Sequence, residues 1–79
     1  MTREEVYARL KDVFTDVFDH EVYLSDETTA ADVLGWDSLT HINLIRTIED
    51  EFDVKFSMSD IINMKNVGQI VSQIIEQSK

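Results

Sequence analysis

The chain has 79 residues, no cysteine and a net charge of −9, from 16 Asp and Glu against 7 Lys and Arg. This length predicts one domain over residues 1–79 with a modest core. The missing cysteines exclude disulfides and thiolate metal sites, and the acidity argues against a nucleic-acid partner, because a phosphate backbone would be repelled.

The N-terminus, Met-Thr-Arg-Glu-Glu, is charged from its third residue, so no signal peptide is expected. No apolar run approaches the ~18 residues that a membrane span needs. We therefore expect a cytoplasmic monomer. Its negative field would keep copies of the chain apart and attract basic surfaces on partner proteins.

The first helix is predicted from Arg3 to Phe18. Thr2 followed by Glu5 is typical of a capping box, in which each side chain bonds the backbone N–H of the other residue. Apolar residues then recur along one stripe at helical spacing, and we expect them to be buried: Val6, Leu10, Val13, Phe14 and Val17.

A long segment without sustained periodicity follows, from Asp19 to Trp36. A loop of this length in so small a domain usually has a function or contains local structure. We expect one helical turn between Thr28 and Leu34 and a sharp exit at Gly35. The apolar residues of the loop are predicted to pack across the helices: Val22, Leu24, Val33, Leu34 and Trp36.

The second helix is predicted from Ser38 to Phe52, with Asp37 or Ser38 as its N-terminal cap. Its expected core stripe is Leu39, Ile42, Ile45, Ile48 and Phe52. Ser38 would be a hydroxyl on the first helical turn, near free backbone N–H groups and the positive end of the helix dipole. That position suits a phosphate group.

An acidic cluster ends this helix: Glu49, Asp50, Glu51 and Asp53. Acidic residues at a helix C-terminus oppose the helix dipole, so their placement indicates a partner surface, although a merely solvated helix end explains it equally well. A dedicated calcium site is not expected, because the alternating acidic pattern with a central glycine is missing.

The remaining sequence predicts a short third helix and a longer fourth one. After the connector at 54–56, Ser57 or Ser59 would cap a helix containing Asp60 and reaching as far as Met64. Asn66 would cap the last helix, which ends near Gln77. No strand pattern is present. We predict an all-α, small four-helix bundle with three main helices, one short helix and a long loop between helices one and two.

With these residues in view, the chain resembles the acyl carrier proteins over nearly its full length. The likeness lies in Gly35-x-Asp37-Ser38-Leu39 at the start of helix two and the run at 48–52. The short third helix and the entry to the last helix at 66–68 also match. The resemblance implies a non-catalytic carrier.

In such carriers a separate phosphopantetheinyl transferase attaches 4′-phosphopantetheine from coenzyme A to the serine of this motif, here Ser38. Asp37 would present the serine and assist the transferase's Mg²⁺, and Leu39 completes the motif. The arm would hold an acyl group as a thioester for partner enzymes with basic docking patches. No catalytic residue and no resident metal are expected in the chain itself.

The expected partner contacts lie along helix two, and the resemblance implies the pocket residues. Partner enzymes would contact Thr40, His41, Arg46, Glu49, Asp50 and Asp53, with His41 as an exposed residue. An acyl chain would be sheltered by Ile42, Ile45, Phe56, Ile61 and Met64, each of which could instead be ordinary core.

Departures from the fatty-acid carriers leave the pathway open. Thr40, His41, Asn43 and Arg46 stand where those carriers tend to have acidic residues. Ile61 replaces a small residue, which should shrink any acyl cavity, and Trp36 is large for its place. Fatty-acid, polyketide, modified-lipid and polysaccharide assembly all remain open, as does a peptidyl or aminoacyl carrier.

Two alternatives come from other functional classes. A Ser38–His41 pair one helical turn apart could act in a hydrolase, but nothing orients His41 or encloses a substrate. His20, beside Asp19 and Glu21, reads as a chance surface histidine. A helical interaction module without cofactor would use the same acidic face, with Ser38 serving only as a cap.

Overall fold

The computed structural model describes residues 1–78, and in that range it contains helices and no strand. The first two helices, α1 (Arg3–Phe18) and α2 (Ser38–Phe52), have the bounds that the sequence predicted, and α1 packs against α2 and against the last helix, α4 (Val67–Gln77). The four-helix architecture is therefore confirmed. Its helices are α1 (Arg3–Phe18), α2 (Ser38–Phe52), α3 (Met58–Asn63) and α4 (Val67–Gln77), and a 3₁₀ turn covers Ala30–Asp32.

Three of the predicted helix caps are present. The Thr2 hydroxyl accepts from the Glu5 N–H at 3.2 Å, and the Glu5 carboxylate accepts from the Thr2 N–H at 3.2 Å. Ser57, and not Ser59, caps α3, and Asn66 caps α4. Met64, predicted at the end of α3, lies just beyond that helix.

The core lies where α1, α2 and α4 meet. Buried side chains come from each of these helices, and the loop adds the indole of Trp36. This ring packs edge-on against Phe14, with centroids 5.4 Å apart, and at a tilt against Phe18, 6.2 Å away. The best-buried large side chains are Phe14, Leu10, Leu44, Ile45, Ile48, Ile70 and Ile74.

The loop between α1 and α2 packs across the helices largely as predicted. Val22, Val33 and Trp36 are buried and Leu24 packs against the core, but Leu34 is 83% exposed, so its predicted burial is wrong. The chain turns after Val33, whose carbonyl accepts from the Trp36 N–H at 3.2 Å, and this turn directs the intervening side chain outward.

The same loop supplies acceptors to the start of α4. The N–H groups of Val67 and Gly68 donate to the carbonyl oxygens of Thr28 and Asp26, at 2.8 and 3.0 Å. A side chain at Gly68 would place its Cβ 2.9 Å from the Asp26 carbonyl oxygen, so only glycine allows this approach. The first N–H groups of a helix have no partner within it, so these two can join α4 to the loop by hydrogen bonds.

The Asp26 carboxylate joins the loop to α1 as well. It accepts from Tyr7 and from Arg3, whose guanidinium nitrogen lies 2.6 Å away. Those two hydrogen bonds lower the pKa of Asp26, while burial and the neighbouring carboxylate raise the pKa of Tyr7 to about 12. The loop that leads to the start of α2 is therefore held at its middle from two sides.

The core face of α2 differs from the predicted stripe at its N-terminal end. Ile45, Ile48 and Phe52 are buried as expected, but Leu39 is 83% exposed and Ile42 is 43% exposed. The fourth buried residue of α2 is Leu44, which the predicted stripe left out.

Candidate functional site

Asp37 is the N-cap of α2. Its carboxylate oxygen Oδ1 accepts from the N–H groups of Leu39 and Thr40, at 3.0 Å each. The Thr40 hydroxyl accepts from the Asp37 N–H at 2.7 Å and donates to the Gly35 carbonyl at 2.7 Å. In this reciprocal capping box, the Thr40 hydroxyl is bonded within the first turn of α2. Thr40 is one of the residues predicted to contact partners.

Ser38 is the first residue of α2, and its side chain is exposed. Within the described chain its hydroxyl makes no hydrogen bond, so Ser38 is not the cap. The expectation that free N–H groups surround it needs correction, because the Asp37 carboxylate already occupies those of Leu39 and Thr40. An ionised cap competes with any other anion for these donors, which leaves the Ser38 N–H and the helix dipole as the attraction.

The hydrogen bonds at Asp37 affect its acidity. Chiefly the Thr40 N–H, and also the Thr40 hydroxyl and the Leu39 N–H, lower the pKa of Asp37. A lowered folded-state pKa means that this cap stabilises the fold above the unfolded pKa of about 3.9 and loses that contribution as the pH falls through the folded value.

Asp37→Asn tests this sign. Asparagine keeps the accepting oxygen but cannot take up a proton, so we expect melting temperatures close to wild type at pH 7. Between about pH 5 and pH 2 the wild type should lose stability faster than the variant. Melting curves of both proteins across that range check it, and parallel pH profiles would contradict the assignment.

A groove of about 640 Å³ runs beside Ser38, between the start of α2, the 3₁₀ turn and α3. Three of the five predicted acyl-pocket residues line it: Ile42, Ile61 and Met64. Ile45 and Phe56 do not line it, and both are buried in the core, so their place in an acyl pocket stays a prediction. Ile45 is one helical turn beyond Ile42 and points toward the interior of the bundle.

Large apolar side chains are exposed around the groove. Leu39 is 83%, Met58 66% and Ile62 68% exposed, and they lie at or beside the groove. Exposed apolar residues grouped in this way mark an interaction surface more often than a solvated one. The helical period alone could not distinguish Leu39 and Ile42 from core residues.

The remaining predicted partner residues lie farther along α2. Arg46, Asp50 and Asp53 are exposed, and none of the three is in an ion pair in the described part of the chain. Glu49 is half-buried, and its carboxylate accepts from the Phe56 N–H at 2.9 Å. Glu51 pairs with Arg9 at 2.7 Å. Part of the acidic cluster therefore has a structural role.

The two histidines both have structural partners. The ring nitrogens of His41 bond the Trp36 indole and the Ile61 carbonyl, each at 3.1 Å, so His41 is half-buried and not the exposed residue that we predicted. Neither nitrogen is available to Ser38, so no Ser–His pair forms. His20 bonds the carbonyls of Glu21 and Leu34 and bridges the two ends of the loop, a role that sequence reasoning missed.

Among residues 1–78, no cluster of three or more His, Asp or Glu side chains is arranged to hold a metal ion. The described helices also include none with the length and apolar character that crossing a membrane demands.

Comparisons with known proteins identify the family of this chain. Residues 8–74 match the family described as "Phosphopantetheine attachment site". The acyl carrier protein of Thermotoga maritima is 34% identical over 74 residues, covering 92% of this chain and 91% of that protein. That of Clostridium perfringens is 31% identical over 75 residues, covering 94% and 99%.

A solved structure supports the same assignment. The solution NMR structure of a holo acyl carrier protein from Geobacter metallireducens is 36% identical and superposes with a TM-score of 0.82, covering 87% of this chain and 80% of that one. The family match, the relatives and the superposition agree: the chain belongs to the acyl carrier proteins, whose cofactor is a covalently bound phosphopantetheine.

Proposed function

We propose that Ser38 is the attachment residue and that a separate phosphopantetheinyl transferase loads it from coenzyme A. The observation that carries the proposal is the exposed Ser38 hydroxyl, which has no hydrogen-bond partner in the described chain and lies at the edge of the groove. A hydroxyl committed to the cap would have to leave it before reacting. Here Asp37 performs the capping, so Ser38 can react without loss of helix structure.

The loading step balances without a group from this chain other than Ser38. The hydroxyl oxygen forms a bond to the phosphorus next to the pantetheine, the phosphoanhydride bond of coenzyme A breaks, and adenosine 3′,5′-bisphosphate leaves. The hydroxyl proton passes to a base of the transferase. The cap bonds lower the pKa of Asp37. Its carboxylate lies next to Ser38 and suits the Mg²⁺ that accompanies the anionic donor.

The surroundings of Ser38 fit a long, flexible arm. The groove beside it has apolar walls from Ile42, Ile61 and Met64 and opens to solvent. Behind the groove, Trp36 is only 7% exposed and packs on Phe14, so the interior is filled. We propose that the thiol of the arm carries acyl groups as thioesters and that such a group lies in the groove, not in a deep cavity.

Partner enzymes are proposed to bind the exposed face of α2 and the apolar residues beside the groove. Near Ser38 lie Leu39 on this face and Met58 at the start of α3. About eight residues along the helix, or roughly 12 Å, the face offers Arg46, which forms no ion pair among the described residues, and beyond it the carboxylates of Asp50 and Asp53. This order of charge fits a partner with an apolar centre, an acidic group opposite Arg46 and basic groups opposite the helix end.

Which biosynthetic pathway the carrier serves depends on its partner enzymes and on the acyl group that it carries. We propose that the protein serves fatty-acid, polyketide or specialised lipid or polysaccharide assembly and that it acts as a monomer in the cytoplasm. The second candidate is a peptidyl or aminoacyl carrier. Arg46 on the docking face, where fatty-acid carriers tend to be acidic, supports a specialised pathway.

The test is the intact mass after incubation with coenzyme A, Mg²⁺ and a permissive phosphopantetheinyl transferase. We expect the mass to rise by one phosphopantetheine, and peptide mapping to place it on Ser38. No gain with several transferases, on a chain shown to be folded by circular dichroism, would contradict the proposal and favour an interaction module without cofactor.

A further inference from the structure

His41 lies between the segment that precedes Ser38 and the short helix α3. Its Nδ1 is 3.1 Å from the indole Nε1 of Trp36, and its Nε2 is 3.1 Å from the carbonyl oxygen of Ile61. The imidazole also stacks on the indole, with ring centroids 5.9 Å apart and an interplanar angle of 23°. One side chain therefore joins two elements that are 25 residues apart in the sequence.

The two partners define the protonation state of His41. An indole N–H can only donate, so Nδ1 must carry a lone pair, and a carbonyl oxygen can only accept, so Nε2 must carry the proton. Only the neutral Nε2–H tautomer satisfies both contacts. His20 provides the contrast, because both of its ring nitrogens face carbonyl oxygens and these contacts raise its pKa.

α3 depends on such polar contacts for its position. It has six residues, and no side chain in it is fully buried; Ile61 is half-buried against the core. Its N-terminal end is held by the Ser57 cap and by the Phe56–Glu49 hydrogen bond just before it. Near its C-terminal end, the bond from His41 connects it to Trp36, which is itself packed against Phe14.

We infer that His41 is a positioning residue: as the neutral Nε2–H tautomer it couples α3 to the buried Trp36 and so fixes the groove beside Ser38. What the groove holds rests on the proposed function, but the coupling itself does not. His41 thereby acts on the carrier site through Trp36 and α3, without touching the reacting hydroxyl.

Two measurements on the unloaded protein test the coupling. Long-range ¹⁵N NMR of the imidazoles at neutral pH should show His41 as the Nε2–H tautomer. His41→Leu replaces the imidazole with an apolar side chain and so removes both hydrogen bonds. Amide hydrogen exchange in α3 should then become about tenfold faster, while α1 and α4 keep their protection. The indole N–H of Trp36, the single tryptophan, should also exchange faster.

His20→Leu is the matched control, because it makes the same replacement at a histidine that does not contact α3. It should leave the exchange of α3 unchanged. A predominant Nδ1–H tautomer in the wild type, or unchanged α3 exchange in a folded His41→Leu, would overturn the inference. The tautomer measurement needs no variant, so it decides the matter even where His41→Leu does not fold.

His41→Gln provides a rescue, because an amide side chain has an oxygen that can accept from the indole and an NH₂ group that can donate to the carbonyl. Exchange in α3 should return at least halfway toward wild type, and exchange as fast as in His41→Leu would count against the coupling. Transferase loading, followed by mass in parallel, separates the two proposals. If neither the wild type nor any variant is loaded, the carrier site is contradicted. If exchange in α3 does not respond to His41→Leu, only the role of His41 is contradicted.

Discussion

Ser38→Ala is expected to abolish phosphopantetheine loading completely while leaving the fold intact. The proposed reaction forms its new bond at this hydroxyl, and alanine offers no oxygen to bond the phosphorus. Because Asp37 caps α2 and the Ser38 hydroxyl has no partner in the described residues, the free energy of unfolding should change by no more than about 0.5 kcal/mol.

Intact mass and urea unfolding of wild type and variant measure both halves of this expectation. Ser57→Ala is a useful control, because it removes a hydroxyl that does cap a helix, accepting from the Asp60 N–H at 3.1 Å. It should lose about 1 kcal/mol of stability yet still be loaded. A Ser38→Ala protein that accepts phosphopantetheine would contradict the assigned site.

Phe14→Ala is expected to remove most or all of the stability of the fold. The side chain is fully buried, and its ring contacts Phe18 and Trp36, with centroids 5.6 and 5.4 Å apart. Truncating a buried phenylalanine costs about 3–5 kcal/mol, which matches the whole net stability that a core of this size supplies. Far-UV circular dichroism and urea unfolding at 25 °C should show a chain that is largely unfolded.

Two further variants calibrate that result. Phe14→Leu keeps most of the apolar volume and should fold with a loss of about 1–2 kcal/mol. Leu39→Ala truncates a large apolar residue that is 83% exposed and should change stability by no more than about 0.5 kcal/mol. A cooperative Phe14→Ala transition within 1 kcal/mol of wild type would mean that the aromatic cluster is not the centre of the core.

The helices, their caps and most of the core were predictable because they depend on neighbours in the sequence. Thr2 with Glu5 and Asn66 before the last apolar stripe each determine a helix start through bonds that span three residues. The position of Ser38 on the first turn of α2 was predicted in the same way, from two capping residue types before an apolar stripe.

The apolar face of α2 was misassigned because a helical period reports a stripe and not what covers it. Leu39 and Ile42 continue the spacing of Ile45 and Ile48, but the first pair faces solvent near Ser38. In a single sequence, an exposed apolar face has the same spacing of residues as a buried one, so it is predicted to be core. The exposed fraction of each residue needs the position of α1, which periodicity does not contain.

The role of His41 could not be predicted for a different reason. Its partners are Trp36, five residues earlier, and the carbonyl of Ile61, twenty residues later, and neither contact leaves a mark in local spacing. The same holds for Gly68, whose requirement for glycine comes from the Asp26 backbone of the loop. Such contacts exist only once the helices are packed.

The intact mass of the protein isolated from its native cells, under conditions that preserve thioesters, tests directly whether Ser38 carries the arm. We predict the polypeptide plus one phosphopantetheine on Ser38, with additional mass that hydroxylamine removes as the acyl cargo. The bare polypeptide mass in every fraction, or an arm on another residue, would contradict the account.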